Sequence, residues 1–183
     1  MDAKEQRVAE TVEPITTAAP GVSAPPETEP ERTVLIQRVF DTPVQFVYEA
    51  HTKPAHVMKW FGPVGFPLAL CEMDFRVGGR FRFAMQNPKG ELMTPFGGEY
   101  LEIEQDRKIV YTNGFELPNA EQMTVTLSFE DLDGRQTRLS MRTVFSSNNM
   151  KQNHLVAGFE AGVGSGLDQL RDVAAEIAAA AGK

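Results

Sequence analysis

Cysteine is nearly absent. Cys71 is the only one in 183 residues, so no disulfide can form within the chain and the fold depends on its core. Histidine is scarce as well. His51 and His56 are five positions apart, not the four that align two ligands on one helix face, and His154 stands alone. No cluster of Cys, Asp or Glu completes a set, so the sequence offers no metal site. The histidines read as solvent-facing or capping groups. There is no G-x-S-x-G elbow, and Cys71 sits in mid-strand without a partner, which removes the usual signals of a nucleophilic enzyme. No apolar run approaches the ~20 residues of a membrane span. The opening MDAKEQRVAE has no signal-peptide core, so the expected location is cytoplasmic. A basic surface is also lacking. The formal charge is −7, of which −5 sits in residues 1–31 (seven carboxylates against Lys4 and Arg7), leaving −2 for the rest. Nothing there resembles a nucleic-acid footprint.

What is present divides in two. Residues 1–31 are rich in Pro, Ala, Thr and Glu and show no apolar periodicity, which reads as a disordered tail. Residues 32–183 read as a single domain, and a region of about 150 residues buries roughly 70% of its unfolded-chain surface without any staple. Val34–Phe40 is β-branched and apolar. Asp41-Thr42-Pro43 and Thr52-Lys53-Pro54 then open two short helices, and Gly62-Pro63 stops the second. Strands are expected over Leu68–Phe75, Arg80–Gln86, Gly97–Glu104, Lys108–Asn113, Met123–Glu130 and Arg138–Phe145, with period-2 alternation in the second, fifth and sixth and a hairpin joining the third to the fourth. Gln105-Asp106-Arg107 and Asp133-Gly134 are the turns. Phe159, Val163, Leu167, Leu170, Val173 and Ile177 advance by three or four residues, as in a long amphipathic helix. Strands followed by a helix long enough to cover them indicate an α+β layer arrangement.

Four segments carry a family resemblance. They are Arg38-Val39-Phe40-Asp41 with Pro43 and Val47, Thr52-Lys53-Pro54 through Trp60-Phe61-Gly62-Pro63, Asp74 through Phe81, and Gly98 through Ile103 with Arg107–Thr112. Together with Gly162, Leu167 and Leu170, they resemble the activator of heat-shock protein 90 ATPase homologue-like family of the START-like (SRPBCC) superfamily, over about Thr33–Ile177. The resemblance implies a helix-grip fold: a curved antiparallel sheet, two short helices and a long C-terminal helix enclosing a hydrophobic cavity. It also marks two departures, because the family usually has tryptophan where Phe61 stands and a large aromatic where Val163 stands. If both positions face the cavity, it is either roomier or repacked.

The fold therefore points to a bound molecule. The expected ligand-binding residues are Trp60, Phe61, Phe83, Met85, Glu99, Tyr111, Phe115, Met123, Met141, Phe159 and Val163. Glu99 shares an alternation face with Leu101 and Ile103. It either points its carboxylate into the hollow, with Arg38 as a possible partner, or reaches solvent near a strand end. The glycines of GFEAGVGSG (158–166) do not match a phosphate loop and instead leave room between helix and sheet. The leading expectation is a non-enzymatic protein, monomer or homodimer, holding a small apolar or amphipathic ligand without a cofactor. The alternatives are a chaperone-linked role, which the family's name implies, and a cavity enzyme such as a polyketide cyclase or hydrolase.

Overall fold

The computed structural model describes residues 27–182; the tail reading for residues 1–26 lies outside that range. β1 (Thr33–Phe40) leads through α1 (Val44–Glu49) and α2 (Pro54–Trp60) to β2 (Leu68–Met73), β3 (Arg80–Met85), β4 (Phe96–Glu104), β5 (Lys108–Phe115), β6 (Met123–Asp131) and β7 (Thr137–Phe145). Two helices follow, α3 (Asn148–Val156) and α4 (Phe159–Ala181). The seven strands form one antiparallel sheet in the order β1-β7-β6-β5-β4-β3-β2. This is the α+β helix-grip architecture that the sequence predicts.

That order has a consequence for the interior. β1 and β2 are opposite edges of the sheet, so the chain between them must cross its whole width. It does so as α1 and α2, which pack on α4, while α1 also touches β6 and α2 touches β2. Three helices thus bear on one face of the sheet. Phe40, Ile109, Leu139, Phe145 and Leu170 are fully buried between the layers. Trp60 anchors the end of α2 by donating its indole N–H to the Ala50 carbonyl at 2.9 Å.

α3 has no counterpart in the sequence reading. Asn148–Val156 is polar, without helical apolar spacing, and only Met150 is buried. The helix is started by its cap: the Ser147 hydroxyl accepts the Met150 N–H at 3.0 Å. Gly158 separates α3 from α4 at φ +85°, a left-handed conformation that glycine adopts without penalty. Residues 27–31, placed in the tail from sequence, also hold to the domain. The Glu27 carboxylate accepts the Asn148 N–H at 2.6 Å, at the first turn of α3, where an anion is favoured. Glu29 pairs with Arg142, and Lys151 donates to the Glu31 carbonyl.

Candidate functional site

A cavity of about 380 Å³ lies between the sheet and the helices, within the ~300–1,000 Å³ usual for small-molecule sites. Ten aromatic and five methionine side chains line it, and no Asp, Glu, Lys or Arg does so among the described residues. The floor comes from the inward-facing residues of consecutive strands. Tyr111 of β5 sits opposite Tyr100 of β4 and Val125 of β6, and Asn113 sits opposite Met123, which in turn faces Phe145 of β7. The roof comes from α4, where Gly162 and Gly166 line the hollow with Val163 and Leu167, and from Gly158 just before it. A Cβ added at Gly162 would meet nothing within 4 Å. The space under the helix is therefore left open at that point, because no side chain fills it.

Ten of the eleven expected residues line this cavity. Trp60 and Phe61 come from the end of α2, and Phe61 packs against Phe83 and Phe96 with ring centroids 5.3 and 5.9 Å apart. Phe83 and Met85 come from β3, Tyr111 and Phe115 from β5, Met123 from β6 and Met141 from β7. Phe159 and Val163 face them from α4. Phe61 and Val163, the two departures from the family pattern, thus both stand in the wall. Phe115 is 47% exposed and stacks on His154, which marks that end as the mouth.

Glu99 is the exception. It is absent from the cavity lining, and its cross-strand neighbour is Arg80 on the outer face. The cause is a β-bulge. Tyr100 pairs with Tyr111 but Glu102 pairs with Val110, so Leu101 is an extra residue on β4. Counting back by twos from the inward Ile103 assigns Glu99 to the wrong face, because the bulge inverts the parity. Tyr100 points in instead. Nor is Arg38 a partner of Glu99: it donates to Asp168 of α4 at 2.9 Å. Of Glu99, Arg38 and Tyr111, only Tyr111 therefore reaches the cavity.

Four polar groups in the lining escaped the sequence reading: Tyr100, Asn113, His51 and His154. Asn113 was visible in principle, since Ile109, Tyr111, Asn113 and Phe115 alternate on one face. The histidines gave no such signal: of the two expected roles, solvent-facing or capping, His51 takes the second, buried at the last turn of α1, and His154 is half-buried. His51 is buried against Trp60 and Phe129, with ring centroids 4.8 and 5.2 Å away. His154 packs against Phe145 at 5.1 Å. In each ring Nδ1 bonds the carbonyl four residues earlier, Val47 at 2.8 Å and Met150 at 2.9 Å.

Burial lowers the pKa of His51 to about 4, against the usual 6.5, with the Val47 hydrogen bond opposing the shift. The ring is neutral at pH 7, Nδ1–H donates to Val47 and Nε2 is left as an acceptor. Burial also pushes the phenols of Tyr100 and Tyr111 upward, so both stay protonated. The Cys71 thiol is pushed up to about 11 by burial, which makes it a poor nucleophile.

The low pKa of His51 predicts an acid-sensitive fold. Between about pH 6.5 and 4 the unfolded chain binds this proton and the folded chain does not, so stability rises with pH across that window. Acidification through it is expected to remove about 3 kcal/mol, at 1.36 kcal/mol per unit. Urea unfolding at several pH values measures the slope. His51→Gln is expected to be less stable at neutral pH but to lose this part of the slope.

A curved antiparallel sheet gripping a long helix over an apolar hollow defines a helix-grip protein. The family described as Activator of Hsp90 ATPase homolog 1-like protein matches residues 41–175, and the chain belongs to it. No curated protein matches the chain. Among solved structures, a protein from Nitrosomonas europaea superposes with a TM-score of 0.71 at 23% identity, covering 80% of this chain and 96% of its own. One from Arthrobacter aurescens gives 0.74 at 22% identity, covering 82% and 90%. One from Silicibacter pomeroyi, itself titled an AHSA1 protein, gives 0.63 at 20% identity, covering 76% and 95%. At these identities the likeness shows the fold alone. No helix among the described residues is long and apolar enough to cross a membrane.

Proposed function

We propose that this protein is a non-enzymatic binding module that holds a small apolar or amphipathic molecule between the sheet and α4. The observation that carries the reading is the cavity itself: about 380 Å³, walled by aromatic and methionine side chains and without a charged group among the described residues. Burial of apolar ligand surface there contributes about 25 cal/mol per Å². The methionines (Met73, Met85, Met123, Met141 and Met150) adapt to irregular shapes, because their side chains are unbranched and polarisable.

The test is an NMR shift-perturbation screen of lipids, aromatics and polyketide-like compounds. Perturbations are expected at Trp60, Tyr111 and Phe159, and their absence for every compound rejects the reading. Glu99→Gln is expected to leave any binding unchanged, because Glu99 lies outside the lining; a loss of affinity would restore a ligand role for that carboxylate.

The family match supports a second reading, a chaperone-linked role. It requires the protein to co-purify with a heat-shock protein 90 or to change its ATP turnover, and failure of both removes it.

A further inference from the structure

The lining of the cavity is selective in its chemistry. Resting on the reading that the hollow binds a small molecule, we propose that its ligand is uncharged and elongated, with a hydroxyl group that is held at Asn113.

Charge is excluded first. With no Asp, Glu, Lys or Arg in the wall, a carboxylate or ammonium entering the hollow would leave water without gaining a counter-ion, and an ion buried that way reverts to its neutral form. Two histidines also line the hollow: His51 supplies no positive charge, since its ring is held neutral by burial, and His154, at the mouth between Phe115 and Phe145, turns its Nδ1 to the Met150 carbonyl.

Length follows from the strand register. The lining runs along β6 from Leu127 to Met123, a distance of about 13 Å at ~3.3 Å per residue. His51 lies beside the Leu127 end, against Phe129. Asn113 lies at the other end, opposite Met123.

The polar handle is an orphan. The Asn113 side chain bonds no described residue, and its Oδ1 is buried without a partner. Buried polar atoms are rarely left so, and the carboxamide stands in the cavity wall, where a half-turn of the amide presents Oδ1 to a ligand hydroxyl. His51 offers a second acceptor at the far end through Nε2, its Nδ1–H being committed to Val47. An apolar body between two acceptors fits a neutral alcohol rather than a fatty acid or a phosphate ester.

Three probes of matched length test this: decan-1-ol, decanoate and decane, each titrated against the intact protein and followed by the fluorescence of Trp60, the only tryptophan. At about pH 8 decan-1-ol is expected to bind at least tenfold more tightly than decanoate. Raising the pH from about 6 to 8 should weaken decanoate by about tenfold per unit, because only its acid form enters, and leave decan-1-ol unchanged. Asn113→Leu is expected to bring decan-1-ol down to the level of decane. Equal binding of alcohol and carboxylate with no pH dependence overturns the inference and leaves the proposed function standing. Equal binding of decane and decan-1-ol by the unaltered protein overturns the role of Asn113. No binding of any probe overturns the inference, and the proposed function is then decided by the shift-perturbation screen. The pH series and the comparison of decane with decan-1-ol both use the unaltered protein, so the exclusion of charge and the contribution of the hydroxyl are read even if Asn113→Leu does not fold.

Discussion

Gly162→Phe is expected to abolish binding of decan-1-ol while leaving the protein folded. The position is on the cavity side of α4, and a Cβ there meets nothing within 4 Å, so the new ring enters the hollow instead of colliding with backbone. It takes up cavity space in which a ligand would lie. The helix does not suffer, because replacing glycine inside a helix gains a few tenths of a kcal/mol or more. A fall in affinity of about a hundredfold, with an unchanged or raised melting temperature, is the expected result. Gly162→Ala is the control. It adds one methyl group, is expected to stabilise by about 1 kcal/mol, and leaves most of the volume free. Undiminished binding in Gly162→Phe would mean that ligands do not occupy this cavity.

Gly98→Ala is expected to do the opposite, destroying stability with a single methyl group. Its Cβ would sit 1.7 Å from the Thr112 carbonyl oxygen and 2.5 Å from the Thr112 carbonyl carbon. Those are backbone atoms of the paired strand, which cannot rotate aside as a side chain does. Gly97 is equally confined, 2.2 Å from the Phe81 carbonyl oxygen. The strands approach closely here as the sheet bends, and the Glu99 N–H bonds the Thr112 hydroxyl at 3.1 Å. Glycines at such points let a sheet curve, and the curvature is what leaves a hollow under α4. Forcing β4 from β5 is expected to cost about 3 kcal/mol, a large share of the ~5–15 kcal/mol that holds a domain together. Thermal unfolding should show a fall of about 10 °C, at roughly 2–4 °C per kcal/mol for a domain of this size. A change within 2 °C would show that the strands can part freely and that Gly98 does not shape the sheet.

These two glycines show where sequence reading succeeds and where it stops. The role of the α4 glycines in leaving room was legible, because a helix with an apolar stripe and an interrupted start has to stand off whatever it covers. The demand at Gly98 was not legible. It arises from Thr112, fourteen residues away in sequence and brought near only by the β4–β5 pairing.

The strands, the two short helices and the long one follow from local rules: period-2 alternation, proline and glycine punctuation, and apolar steps of three and four. Those rules also place ten of the eleven expected residues on the inner surface, since in this fold the core face and the cavity wall are the same face. α3 escaped because it is held by a serine cap and the contacts of Met150, not by a periodic pattern. Glu99 was assigned inward as one option because alternation presumes an unbroken ladder, and the extra residue at Leu101 breaks it. His51 looked like a surface residue because a single histidine after a short helix carries no sign of what will cover it; only the approach of Trp60 and Phe129 buries the ring and holds it neutral.

Local patterns were enough for the seven strands, for α1, α2 and α4, and for the inward faces outside the β4 bulge, because those depend on neighbours a few residues apart. Packing settled what remained: α3, which carboxylate stays outside, which histidine is neutral, and which carboxamide is left without a partner. Those properties depend on what lies across the sheet or under the helix. Burial and electrostatics are set by atoms that meet in space, and no local pattern records those meetings.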